Sequence, residues 1–410
     1  MSVQRDSRSD VMRVGCVTRH HYPTAQEIRV TKFGAAYKAE RHDFFVFCPR
    51  RSDQSSTERF EYGNIIRPKI FLGPFLERIL FAVVPINPIW LFWFVYQFLS
   101  KRLDLVIVRD LRLALPAIVA ARICGMKSIL DIGEHYPGMM EIVGKTRLIH
   151  HLIRNAWLIR RLEILSVRWA DNVWVVVDEN KQRLSRYSSQ IDVINNYPVA
   201  SIGGADLRAV PREYSEHGDP VRIVSLGVID NIRGLDLAVE AFGLLIKELP
   251  NVQLVLHGDG FFREALQAQV RQLGLDDSVY FGGWVAEADK YKLLADGDVG
   301  LILHKMCDLT QHTIPNKLFD FMYVGVPILS TQLKPVERIL LKEKCGDSVA
   351  ENAVAVAAGM RSLVLDVEKR RRYSRNGIEA VYARYRWESE AAKVIKNSRT
   401  LLQQGSAVCS

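Results

Sequence analysis

At 410 residues the chain exceeds one ordinary hydrophobic core and calls for two domains of about 200 residues each. A composition of 48% hydrophobic and 25% charged residues excludes a disordered or fibrous chain. A net charge of +9 favours anionic partners: nucleotide phosphates, an anionic membrane surface or nucleic acid.

The start, "MSVQRDSRSDVMRVG", is polar and lacks the apolar core of a signal peptide, so the chain is expected to be made and kept in the cytoplasm. Cysteines at 16, 48, 124, 307, 345 and 409 form no close pair and no CxxC. That scatter argues against a zinc site or a disulfide framework. In chain order, "VMRVGCVT" (11–18), "DFFVFCP" (43–49), "LDLVIVRD" (103–110), "KSILDIGE" (127–134), "DNVWVVV" (171–177) and "QIDVINN" (190–196) read as buried strands. Helical stretches such as "LALPAIVAARICG" (113–125) lie between them, a pattern that predicts a parallel sheet covered on both faces.

One segment, "ILFAVVPINPIWLFWFVYQFLS" from Ile79 to Ser100, carries no charge over about 22 residues, the length of a membrane span. Pro85, Asn87 and Pro88 break it, and Arg78, Lys101 and Arg102 flank it. Two short helices joined at "PINP" are therefore expected. Three fates are open to them: buried core or an acceptor groove, insertion into one leaflet, or a true span.

Residues 198–220 lose periodicity and mark a linker. The strand–helix alternation then restarts: "VRIVSLGVI" (221–229), a helix from Leu235 to Leu249, "VQLVLHGDG" (252–260), a helix near 262–273, "SVYFGGW" (278–284), a helix near 287–295, "DVGLILH" (298–304) and "VPILST" (326–331). This is a second doubly wound domain, followed by a polar amphipathic tail helix. The division is 1–200, a linker over 201–220, 221–385, and a tail over 386–410. Open α/β sheets bind ligands at the carboxyl ends of their strands, so site residues are sought there.

In "SLGVIDNIRG", Gly227 ends a strand and Arg233 stands at the mouth of a helix, which suits a phosphate; an ordinary β–α turn has the same grammar. "LHGDG" repeats it with Gly258 and Gly260. Glycines there admit either a ligand or a tight turn, and the third glycine of a dinucleotide fingerprint is missing. Asp296-Gly297-Asp298 has the spacing of a metal-binding DxD, but capping and solvation of a helix–strand junction explain it. The most specific stretch is "QHTIPNKLFDFMYVGVPIL" (311–329). Pro315 and Lys317 open a helix whose N-terminus and ammonium suit a diphosphate, beside His312, Thr313 and Asn316. Asp320, one turn on, would accept hydrogen bonds from ribose hydroxyls. The bland alternative is an i,i+3 surface pair of Lys317 with Asp320.

These motifs resemble the GT-B glycosyltransferases, specifically the retaining group known as glycosyltransferase family 4. The likeness runs through "SLGVIDNIRGLDLAVEAF", "LVLHGDG", "LGLDDSVYFGGWV", "LLADGDVGLIL", "TIPNKLFDFMYVGVPIL" and "CGDSV", and more loosely through "LDLVIVRDLRLALPA", "ILDIGEHYP", "VINNYP" and "YRWESEAAKV". The resemblance implies two Rossmann-like doubly wound domains facing across a cleft, with a C-terminal helix crossing back to the first. It implies transfer of a sugar from a nucleoside-diphosphate sugar to an acceptor hydroxyl with retention, needing no metal or other cofactor. The family's Glu-x7-Glu pair falls on His312 and Asp320, the second member holding the donor ribose. Val228 stands where relatives carry a phosphate-binding arginine, which leaves Arg233 and Lys317 for the phosphates. With His312 these are the catalytic candidates; Gly227, Gly258, Gly260, Thr313, Asn316 and Asp320 are the donor-binding ones.

The first domain is the expected acceptor domain, with Asp131, Glu134 and His135 on the acceptor side. Its apolar 70–100 segment and basic neighbours (Arg67, Lys69, Arg78, Lys101, Arg102) suit a lipid-linked or saccharide acceptor and peripheral contact with an anionic membrane at the inner face of the cell membrane. No nucleic acid is expected. A sugar-nucleotide epimerase or hydrolase, or a catalytically degenerate sugar-nucleotide-binding protein, shares the architecture. A nicotinamide-dependent oxidoreductase would need a G-x-G-x-x-G at a strand–helix turn, which is missing.

Overall fold

The structure, a computed structural model, describes residues 11–24, 27–69, 80–83, 87–109, 111–142, 155–199, 219–286 and 288–406. The chain divides into two compact units, Met1–Asn196 with Glu390–Ser410, and Tyr197–Ser389. Each is a mixed α/β unit built on one sheet.

In the first unit the strands are β1 (Arg13–Val17), β2 (Asp43–Phe47), β3 (Thr57–Phe60), β4 (Gly63–Ile66), β5 (Leu105–Val108), β6 (Lys127–Ile132), β7 (Asn172–Val175) and β8 (Ile191–Val193). The described helices are α1 (Ile28–Ala39), α2 (Pro88–Lys101), α3 (Leu111–Ile123), α4 (Tyr136–Ile142), α5 (Ala156–Trp169) and α6 (Asp178–Leu184). The sheet order is β3-β4-β2-β1-β5-β6-β7-β8, parallel throughout except for the β3–β4 hairpin. The central strands are apolar on both faces because helices cover both, which is why their sequences run without alternation. The order reverses between β1 and β5, so the carboxyl ends of those two strands border the crevice where such sheets take ligands.

The uncharged segment resolves into α2. Asn87 caps it by accepting a hydrogen bond from the Ile89 N–H, and Pro88 occupies its first turn. Trp90, Phe94 and Phe98 are buried, their rings stacked 5.2 and 5.4 Å apart, and they belong to the core under α3. No helix among the described residues is long and apolar enough to cross a membrane. The expected partner helix before "PINP" lies largely outside the described residues. The opposite stripe of α2 is open: Phe92 is 72%, Tyr96 68% and Leu99 55% exposed.

The second unit holds β9 (Val221–Leu226), β10 (Val252–His257), β11 (Val279–Gly283), β12 (Val299–Ile302), β13 (Ile328–Thr331) and β14 (Gly346–Val349), all parallel in the order β11-β10-β9-β12-β13-β14. Its helices are α7 (Leu235–Leu245), α8 (Arg263–Gln272), α9 (Lys290–Ala295), α10 (Lys317–Tyr323), α11 (Lys334–Glu343), α12 (Ala353–Leu365) and α13 (Val367–Arg384). The order reverses between β9 and β12. The last helix, α14 (Trp387–Ser406), begins in this unit and spends most of its length in the first. There Glu390 accepts from the Asn195 N–H (2.8 Å), Ser398 bonds Tyr37 (2.6 Å) and Arg399 pairs with Glu40 (3.1 Å).

Three strands escape the sequence reading: β3, its hairpin partner β4, and β14. The β3 strand, "TERF", is polar and exposed at the sheet edge, so it carries no apolar signal. The β14 strand, "GDSV", is four half-buried residues beginning with glycine. Of the DxD residues, Asp296 is the C-cap of α9, as capping at a helix–strand junction predicts, and the buried Asp298 accepts the Arg222 N–H at 2.7 Å, tying β9 to the start of β12.

Candidate functional site

At the carboxyl end of β9 the backbone reaches a φ of +131° at Gly227, a conformation L side chains rarely adopt. A Cβ there would stand 3.6 Å from the Lys317 Nζ, so the turn and the lysine face one another directly. Asp230 then folds the loop: its Oδ1 accepts the N–H groups of Ile232 (3.0 Å) and Arg233 (3.1 Å), an Asx-type turn. Its Oδ2 pairs with the Arg233 Nε at 3.5 Å. Gly234 follows at φ +63°, where a Cβ would lie 1.8 Å from the Leu303 carbonyl oxygen. Only glycine lets this loop lie flat on the exit of β12. The Lys305 N–H, donating to the Ile232 carbonyl at 2.8 Å, fastens the same contact.

That exit carries a residue the sequence reading passed over. His304 is 4% exposed, and its Nε2 lies 3.2 Å from the Arg233 Nη1. Lys317 completes the group from the first position of α10. Burial, and then Arg233, push the Lys317 pKa down to about 7 against the pull of Asp230 and Asp320. Burial, with Lys317 and Arg233 beside it, pushes the His304 pKa well below its ordinary value. Two cations and an imidazole thus gather at the switch point of the second sheet. Such a place favours a multiply charged anion.

One turn along α10, Asp320 is 7% exposed and is no surface partner of Lys317. Its Oδ1 accepts from the Tyr291 hydroxyl (3.2 Å) and pairs with the Lys290 Nζ (3.2 Å), both from α9. Lys290 and Tyr291 were invisible in sequence because nothing local links α9 to α10. A carboxylate fixed this way near a cationic pocket is suited to accept hydrogen bonds from hydroxyls of a ligand whose phosphates occupy the pocket.

The other donor-side candidates take lesser places. Gly258 and Gly260 serve packing: a Cβ would come within 1.9 Å of the Gly227 oxygen and 2.2 Å of the Ile229 oxygen, so the second turn leans on the first. The Thr313 hydroxyl donates to the Leu309 carbonyl (2.9 Å). His312 binds its own loop through Nδ1, to the Asp308 carbonyl (2.9 Å) and carboxylate (3.2 Å). Asn316 stands exposed at the N-cap of α10 and makes no side-chain cap.

In the first unit the expected acceptor-side residues separate. Asp131, the penultimate residue of β6, has 0% exposure and is held by Arg29 (2.7 and 3.0 Å) and by Arg109 (2.9 Å). Burial pushes its pKa up, but the two guanidinium groups outweigh it and hold the carboxyl below its usual range. Arg109 also grips Glu27 (2.7 Å), and Arg29 donates to the Ile194 carbonyl (2.9 Å). The Asp131 carboxylate is thus enclosed and engaged by two arginines. His135 is buried at the start of α4, and Glu134 alone of the three is exposed.

Residues 208–380 match the family model of the glycosyl transferases group 1. The chain is similar to the lipopolysaccharide core biosynthesis glycosyltransferase LpsD of Rhizobium meliloti, at 28% identity over 50% of this chain and 56% of that protein. It is also similar to the putative colanic acid biosynthesis glycosyltransferase WcaL of Escherichia coli, at 28% identity over 38% of each chain. The chain spans about half or less of the length of these curated relatives. In fold it resembles a sucrose-phosphate synthase from Thermosynechococcus elongatus, with a TM-score of 0.74 at 19% identity over 96% of this chain and 100% of that one. Anabaena HepE, solved with UDP-glucose, gives a TM-score of 0.68 at 13% identity over 95% and 100% of the two chains.

Proposed function

We propose, on the premise that residues 208–380 form a group 1 glycosyl transferase domain within a GT-B fold, that this chain moves a sugar from a nucleoside-diphosphate sugar to an acceptor hydroxyl in the making of a cell-surface polysaccharide. The observation that carries the reading is the gathering of Arg233 and His304 with Lys317, which faces Gly227, with Asp320 one helical turn away. Breaking the sugar–phosphate bond puts negative charge on the departing diphosphate. Arg233 and Lys317 stand ready at the switch point to stabilise it without reorganising. Asp320, steadied by Lys290 and Tyr291, accepts from the ribose. Transfer proceeds with retention, the acceptor hydroxyl attacking from the face the diphosphate leaves.

The relatives named for lipopolysaccharide core and colanic acid synthesis support a saccharide acceptor carried on a lipid. The open stripe of Phe92, Tyr96 and Leu99 on α2, ending in Lys101 and Arg102, suits shallow contact with the anionic inner face of the cell membrane. A binding protein that no longer transfers is favoured by one observation: His312, at the first position of the Glu-x7-Glu pair, is bonded to its own loop.

Thermal unfolding with UDP, GDP, ADP and NAD, on wild type and Asp320→Ala, tests the reading. A diphosphate at one hundred times its dissociation constant adds about 2.7 kcal/mol to the wild type. The variant is expected to lose most of that gain. Stabilisation by NAD alone, or by none of the four, refutes the donor site. Release of free sugar or a glycosylated lipid from the matching nucleotide sugar then separates an enzyme from a binding protein.

A further inference from the structure

We propose that His304 is a positioning residue of the donor site: as a neutral acceptor it holds the Arg233 guanidinium toward the diphosphate without adding a second carboxylate to the one that Asp230 already sets beside it. The inference rests on the reading of the second unit as a nucleoside-diphosphate site. A guanidinium offers only donors, so the 3.2 Å contact between Arg233 Nη1 and His304 Nε2 requires a lone pair on that nitrogen. The ring is therefore neutral, with its proton on Nδ1. Burial and the neighbouring cations, which push its pKa well down, agree with that state.

The backbone under the ring is fixed from two sides. The His304 carbonyl accepts the Thr331 hydroxyl at 2.7 Å, and the next residue, Lys305, donates to the Ile232 carbonyl at 2.8 Å. Strand order explains the placement, because β12 lies beside β9 at the reversal and its exit meets the turn that carries Arg233. Asp230 steadies the other edge of the guanidinium at a looser 3.5 Å. A carboxylate in place of the imidazole would form a tight ion pair and neutralise the group meant for the phosphates. An imidazole orients the same group without cancelling it.

The test compares UDP with uridine, by calorimetric titration and by competition, on wild type, His304→Gln, His304→Asn and His304→Glu. Glutamine can return an acceptor near the Nε2 position, whereas asparagine is too short. The expected result is a loss of about tenfold in UDP affinity for the asparagine variant, from one contact to a charged group. Uridine affinity should be unchanged, and the glutamine variant should recover most of the UDP affinity. The glutamate variant should bind UDP more weakly than the asparagine one. Parallel loss of UDP and uridine affinity, or a glutamine variant no better than asparagine, overturns the proposal and leaves His304 a packing residue. If a variant does not fold, the order of UDP affinities among those that do, glutamine above asparagine above glutamate, decides. If wild type binds GDP or ADP instead, the same comparison runs with guanosine or adenosine; if it binds no diphosphate, the donor reading and this inference fall together.

Discussion

Lys317 is where the stability of the free protein and its use diverge. Its folded pKa of about 7 lies well below that of an exposed lysine, so between about 7 and 10.5 the unfolded chain binds more protons than the folded one. Stability therefore rises with pH across that window, and at pH 6 the burial of this charge is a full penalty. Lys317→Met should stabilise the free protein at pH 6 by roughly 1–3 kcal/mol, flatten the rise toward pH 10, and abolish stabilisation by UDP; chemical denaturation across pH reads all three. A bound diphosphate must draw the lysine back to its charged form. UDP binding to wild type should take up a proton above about pH 7, and its affinity should fall as pH rises from there, by at most tenfold per unit. Titration in buffers of different ionisation enthalpy measures that proton. Arg233, Lys317 and Asp320 were legible in sequence because each sits in a contiguous motif beside a glycine or a helix start. His304, Lys290 and Tyr291 were not: their roles come from β12 lying against β9 and α9 against α10, contacts that no local pattern encodes.

At the level of the element, α2 shows how one uncharged segment serves two surroundings. Its buried stripe supports the first core and its open stripe does not, so the two should respond oppositely to mutation. Trp90→Ala should cost about 3–5 kcal/mol in stability by leaving a cavity among Phe81, Trp93 and Phe94. Phe92→Ser with Tyr96→Ser should leave stability within about 0.5 kcal/mol but weaken sedimentation with anionic vesicles. Loss of neither property in the double variant would remove the membrane role of this face. Hydropathy alone left core, leaflet and span open, because all three want uncharged residues. Asn87 caps the helix, and the four-residue spacing of Trp90, Phe94 and Phe98 puts one of its stripes into the core. The β3 strand and β14 lacked even that much signal, since edge strands carry few buried side chains. At β6, Asp131 read as an acceptor-side residue through the family likeness of "ILDIGEHYP"; its bonds to two distant arginines, Arg29 and Arg109, carried no local signal. Asp131→Asn is expected to destabilise the protein by about 3–5 kcal/mol, seen as a lowered denaturation midpoint, by leaving those guanidinium groups uncompensated in the interior.

Across the whole molecule the two sheets repeat one plan, a parallel strand order that reverses beside the first strand of each unit. That plan was readable from alternation alone, as was a terminal helix. What periodicity did not carry was membership, since a helix following the second sheet in sequence gives no sign that its partners are Tyr37, Glu40 and Asn195. Synthesis runs in one direction, and the first unit takes its closing layer from residues made after the whole of the second unit. At the usual pace of translation, the surface that α14 covers waits roughly ten to forty seconds after its own strands have left the ribosome. During that interval the buried Tyr37 faces solvent or a chaperone. A nascent chain stalled at residue 386 should accordingly show the first unit open to proteolysis around α1, and release of the full chain should close it.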